Sequence, residues 1–318
     1  MLSTVPNEIL FTIAENLSPG PLLNLLLTCR SFHHSLSRLM LRHALANKDF
    51  TPALVWASIE GHVPLIKTIL AHTPASDEAT KMEEIALREA CDHGSLKSVE
   101  TLLDHGVPHT PPEDNDRRYP LAIAVYKCHL PVVRLLLSRG AVPDVWPGYP
   151  PMAFDLCRNG EVEVLRELLA AGADPNARNN HMSSCFTLAA EYGHLECLKV
   201  LLEYGAEVDV VDRDNDTPMI LALYCERWDV VEFLLEQEEC DLVTRNLRGF
   251  DPLNLACITG RADVVRKIFS KQVPGHDTFW YERELVPMVS LARMRHREEV
   301  VEVLEQEILK LWLASSTL

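Results

Sequence analysis

Asp212-Arg213-Asp214-Asn215-Asp216 places side-chain oxygens at alternate positions, as the start of a calcium-binding loop does. The match stops there. Such a loop needs glycine at its sixth position and glutamate at its twelfth, and Thr217 and Leu223 stand in those places. Asp and Asn at this point also suit a tight turn, and that is how the run is read. Nine cysteines and thirteen histidines invite a zinc reading, but no C-x-x-C pair or other zinc-ligand spacing occurs. Cys91, Cys157 and Cys257 each lie three residues before a glycine, which marks them as small packing residues at one repeated position. The chain has no G-x-x-x-x-G-K-[ST] loop, no G-x-G-x-x-G and no G-x-S-x-G. The expectation is therefore a chain without catalytic residues, metal or cofactor, whose chemistry is that of contact with other macromolecules.

Charge narrows the kind of contact. The formal net charge is -16. Residues 1–50 hold four basic side chains (Arg30, Arg38, Arg42, Lys48) and three acidic ones (Glu8, Glu15, Asp49), so the acidic excess falls entirely in the remainder. A surface of this sign repels phosphate backbones, so nucleic acid is excluded as a partner. The longest uncharged stretch, Asn16–Cys29, is too short to span a bilayer and is broken by Ser18-Pro19-Gly20-Pro21. The first residues lack the basic start and apolar core of a secretory signal. Scattered cysteines in odd number fit reduced thiols in the cytosol or nucleus.

The elements that hold any contact surface follow from an internal repeat. Phe186-Thr187-Leu188-Ala189-Ala190-Glu191-Tyr192-Gly193-His194 leads into Leu195-Glu196-Cys197-Leu198-Lys199-Val200-Leu201-Leu202, then Glu203-Tyr204-Gly205-Ala206. Copies aligned on the glycine of the Gly-His break run Gly61, Gly94, Cys128, Gly160, Gly193, Glu226, Gly260 and, more weakly, His296. Their spacings are 33, 34, 32, 33, 33, 34 and 36 residues. Four residues before the anchors stand Ala57, Ala90, Ala124, Leu156, Ala189, Ala222 and Ala256, small enough in six cases for neighbouring helices to approach closely. Pro120, Pro218 and Pro252 suit the first turn of a helix, where no N–H is needed. Gly106, Gly140, Gly172 and Gly205 follow leucine pairs, where a helix ends in a left-handed residue. The unit resembles the ankyrin repeat, whose expected period is about 33. The resemblance implies an all-α solenoid of about eight repeats over residues 50–318. The helix around Glu298–Leu313 would close the stack, and a long connection at 270–286 would precede it.

Residues 1–45 read as three short helices with too little core to stand alone. The order Pro6-x-Glu8-Ile9-Leu10, Leu17-Ser18-Pro19, Leu25 and Thr28-Cys29-Arg30-x-Phe32 resembles the F-box. Val5 stands where that family usually has leucine, and Pro21 where aspartate is frequent. The resemblance implies docking on a Skp-family adaptor, and on a cullin through it, by Pro6, Ile9, Leu10, Ile13, Leu17, Leu22 and Leu25. F-box followed by ankyrin repeats is an architecture common in fungi. The alternative is that residues 1–48 only cap the repeats, leaving an ankyrin scaffold unconnected to ubiquitin.

In ankyrin proteins partners usually meet the first helices and the hairpin tips. The resemblance thus directs attention to the two residues before each anchor. Tyr126, Lys127, Arg158, Tyr192 and Tyr224 are the candidates there, and Trp280 with Tyr281 in the long connection is a second one. Tyrosine suits such a surface because it offers large area and a polar tip. The expected function is substrate recognition for a Skp–cullin–F-box ubiquitin ligase, by a chain monomeric outside that complex and bound to a protein target.

Overall fold

The computed structural model describes residue 44 and residues 49–73, 76–109, 119–143, 151–271 and 278–315. Pro6, Ile9, Leu10, Ile13, Leu17, Leu22 and Leu25, and with them the three-helix module, lie outside the described residues. The chain divides into two compact units, residues 1–146 and 147–318. All regular elements among the described residues are helices, apart from one isolated antiparallel bridge between Arg178 and Ser184.

Among the described residues the first unit holds three helix pairs: α1 (Thr51–Ile59) and α2 (Val63–His72), α3 (Asp77–Asp92) and α4 (Leu96–His105), α5 (Pro120–Tyr126) and α6 (Leu130–Ser138). The second holds five: α7 (Ala153–Asn159) and α8 (Val162–Ala170), α9 (Cys185–Tyr192) and α10 (Leu195–Glu203), α11 (Pro218–Tyr224) and α12 (Trp228–Glu236), α13 (Pro252–Thr259) and α14 (Ala262–Ser270), α15 (Thr278–Met294) and α16 (Glu298–Ser315). Within each unit, first helices pack on first helices and second on second, one repeat to the next. A first helix therefore has neighbours on both flanks, which explains its composition. In α9 every residue from Cys185 to Ala190 is buried. Second helices are amphipathic, and α12 buries Val230, Val231, Leu234 and Leu235 along one face. Each such side chain contributes about 1.5–3 kcal/mol when fully buried.

Helix starts follow the expected chemistry. Pro120, Pro218 and Pro252 open α5, α11 and α13. Thr217 and Asp251 accept the backbone N–H of Ile220 and Asn254, and Ser184 forms a capping box with Thr187.

One joint recurs in every pair. All eight anchors, Gly61, Gly94, Cys128, Gly160, Gly193, Glu226, Gly260 and His296, have φ between 55 and 85°. The N–H after each anchor donates to the carbonyl four residues before it, as from His194 to Ala189 at 2.9 Å and from Arg297 to Ala292 at 2.9 Å. The seven expected positions are buried, and Ala292 extends the series to an eighth copy. At four joints a second helix carbonyl, two residues before the anchor, is taken by the following repeat. His129 Nε2 donates to the Asp92 carbonyl and His194 Nε2 to that of Arg158, both at 2.9 Å. Arg227 Nε donates to Glu191 O at 3.0 Å, and the Ser95 hydroxyl to Ile59 O. The histidines after the anchors are thus structural in these repeats.

The structure corrects one expectation. Trp280 and Tyr281 belong to α15, so the connection after Ser270 ends before Thr278. Pro287 lies inside α15, one lost backbone bond within seventeen residues. The expected closing helix is present as α16, packed on α14 and α15.

A Cβ on Gly160 would lie 2.6 Å from His194 Nδ1, on a ring already tethered to Arg158. Gly160→Ala is expected to lower stability by about 1–2 kcal/mol in urea denaturation, since left-handed backbone disfavours a side chain. Glu226→Gly, at φ 55°, is expected to raise it by about 0.5–1 kcal/mol. Equal midpoints for both variants and the parent would contradict this account of the joint.

Candidate partner-binding face

The residues just before each anchor end the first helices, and several project into solvent. Tyr126 is 71% exposed in the first unit. Beside it, exposed Lys127 reaches back one repeat to Asp92, with Nζ 3.1 Å from the carboxylate. In the second unit Arg158, Tyr192 and Tyr224 come from α7, α9 and α11, so consecutive repeats present them in order. Tyr192 is 40% and Tyr224 56% exposed. Glu191 and Cys225, next to the tyrosines, are half-buried. Tyr126 and Lys127 therefore belong to one unit, and Arg158, Tyr192 and Tyr224 to the other. Trp280 lies on α15.

Arginines pack on the aromatic side chains of this row. The Arg158 guanidinium lies 6.0 Å from the centre of the Tyr192 ring, and that of Arg248 lies 4.9 Å from Tyr224. Arg261 sits 4.3 Å over Trp228. Arg248 comes from the hairpin before α13 and also bonds the buried Asp216 carboxylate at 2.8 Å. Sequence reading missed Arg248, twenty-four residues from Tyr224, but the hairpins carry a signal that finds it. Asn179, Asp212 and Asn246 recur at the repeat spacing, and each accepts two N–H groups through one side-chain oxygen. The donors are His181 and Ser183, then Asp214 and Asp216, then Arg248 and Phe250. The run resembling a calcium loop is one of these hairpin turns, its first carboxylate spent on its own backbone. Adjacent tips are joined by Arg213 N to His181 O at 3.0 Å and Leu247 N to Asp214 O at 2.9 Å. Met182 and Leu247, the latter 76% exposed, complete the edge of the face.

Carboxylates set its electrostatics. Burial raises the pKa of Glu191; Asp212 and Asp216 add to the rise, while Arg158 and Arg227 oppose it. Asp212 is raised chiefly by burial as well. Four buried thiols stay protonated at neutral pH. Burial pushes Cys91, Cys197 and Cys257 up to about 12, and a hydrogen bond with Cys185 together with burial raises Cys157. Among the described residues no three His, Cys, Asp or Glu side chains are grouped to hold a metal ion. No described helix is long and apolar enough to cross a membrane.

This architecture defines an ankyrin solenoid, and comparison with known proteins agrees. The family "Ankyrin repeats" matches residues 54–146, 153–246 and 186–279, and the chain belongs to that family. Among curated relatives it is similar to Ankyrin repeat protein nuc-2 of Neurospora crassa, 31% identical over 48% of this chain and 14% of that protein. It resembles E3 ubiquitin-protein ligase KEG of Arabidopsis thaliana at 29% identity, over 46% of this chain and 10% of the relative. Ankyrin repeat and SOCS box protein 10 of Mus musculus is 37% identical over 43% of this chain and 30% of its own length. The chain thus spans less than a third of each of these relatives.

The raised Glu191 pKa has a definite sign. A carboxyl held above its unfolded value weakens folding above that folded pKa, and the penalty vanishes once both states are protonated. Glu191→Gln is expected to raise the urea midpoint at pH 7. The gain should fade as pH falls through the folded pKa to below the ordinary carboxylate range. A gain that grows on acidification would overturn the assignment.

Proposed function

We propose that this chain is a substrate receptor of a Skp–cullin–F-box ubiquitin ligase, with no catalytic chemistry of its own. Residues 1–45 dock on the Skp-family adaptor, and residues 50–318 bind the target protein. Its contribution to ubiquitin transfer is proximity, which raises the effective concentration of a target lysine near the charged conjugating enzyme. The observation that carries the reading is the ordered motif Pro6-x-Glu8-Ile9-Leu10 to Thr28-Cys29-Arg30-x-Phe32 ahead of a protein-binding repeat array. A relative matched by the repeats is named an E3 ubiquitin-protein ligase, which supports it. Tyr126, Lys127, Arg158, Tyr192, Tyr224 and Trp280 form the target-binding residues in this reading.

Co-purification with the Skp adaptor tests it, comparing the intact chain with an Ile9→Asp, Leu10→Asp variant whose helicity is first checked by circular dichroism. The intact chain is expected to capture the adaptor and the variant to lose it, because a few buried apolar anchors dominate such interfaces. Capture by neither would make residues 1–48 a cap and the chain an ankyrin scaffold without a link to ubiquitin.

A further inference from the structure

The acidic excess is concentrated in one stretch. Glu203–Asp241, which contains α11 and α12, carries thirteen carboxylates against Arg213 and Arg227. Ion pairs absorb only part of this charge. Glu203 bonds Arg166, Asp216 bonds Arg248, and Glu232 lies 3.6 Å from Lys267. Glu207, Asp214, Glu226, Asp229, Glu236, Glu238 and Glu239 enter no ion pair among the described residues.

Tyr192 and Tyr224 stand within this field. Glu191 precedes Tyr192 in the chain, Glu226 and Asp229 follow Tyr224, and Asp214 and Asp216 act on the Arg248 guanidinium that packs on the Tyr224 ring. The rings already accept guanidinium groups from within the chain, Arg248 at 4.9 Å and Arg158 at 6.0 Å. Exposed Met182 and Leu247 at the tips offer apolar area beside them. A tyrosine ring attracts a cation through its negative face, and unpaired carboxylates around it strengthen that preference. An acidic or phosphorylated segment would meet a field of the wrong sign.

We propose that the strip from Tyr192 to Tyr224 binds an extended, arginine-containing segment of a partner protein, whose cations sit on the tyrosine rings among the surrounding carboxylates. This rests on the reading of the array as protein-binding, and it names the chemistry of the target; it does not depend on the N-terminal docking segment.

The test is fluorescence anisotropy of the full chain with three labelled peptides of equal length, in which serine alternates with arginine, glutamine or glutamate. At roughly 0.1 M salt, where the Debye length is about 10 Å, the arginine peptide binds and the other two do not. Tyr192→Ala with Tyr224→Ala weakens that binding about tenfold. Glu238→Gln with Glu239→Gln removes two charges away from the strip and weakens it less than about twofold. Circular dichroism confirms that both variants remain folded. Absence of arginine-peptide binding overturns the proposal, as does equal binding of the glutamine peptide. Binding that survives loss of the tyrosines also overturns it, since diffuse attraction would then suffice. Adaptor capture is read separately, so failure here leaves it standing, and failure there leaves the peptide result standing.

Discussion

Everything in each unit depends on how the chain turns between the two helices of a pair. One residue takes φ between 55 and 85°, and the N–H after it closes onto the helix just finished. The turn would still leave carbonyls exposed at the helix end. In four joints one of these is bonded by Ser95, His129, His194 or Arg227 of the next repeat. Local closure and attachment to the neighbour are thereby achieved at the same place. The chemistry of the side chain is interchangeable provided that it reaches and donates, which is why serine, histidine and arginine alternate at one position.

This joint also explains why so much of the fold was legible before any coordinates. Gly at five of the first seven anchors, small residues four before it and leucine pairs after it are direct consequences of the geometry, so their spacing reports it. Cys128, Glu226 and His296 break the glycine pattern yet adopt the same backbone, closed by the same bond from the next N–H onto Ala124, Ala222 and Ala292. The start of α15 was not legible in this way: the expected connection ran to residue 286, whereas Thr278–Met294 is helical and packs on α13 and α16.

The candidate face was half legible. Tyr126, Lys127, Arg158, Tyr192 and Tyr224 occupy a fixed place in the repeat, so position alone identified them as exposed. What each ring touches was not readable from its own repeat. Arg248 reaches Tyr224 from the next hairpin, and Arg158 reaches Tyr192 from the previous pair. Side-chain partners across a repeat boundary depend on stacking distance, which no single copy contains. Burial of Glu191 among Asp212 and Asp216 is likewise a property of two stacked repeats.

Because the bonds at the joints and tips run only to adjacent repeats, each unit responds to mechanical load as a chain of links in series. Tension applied at the ends passes through every link alike, and the weakest gives way first. Release of one repeat of 33 residues frees about 110 Å of extended chain. Under load such a stack shortens its folded length in discrete steps while the rest keeps its shape. A partner held across two neighbouring repeats would act as a splint over the joint between them.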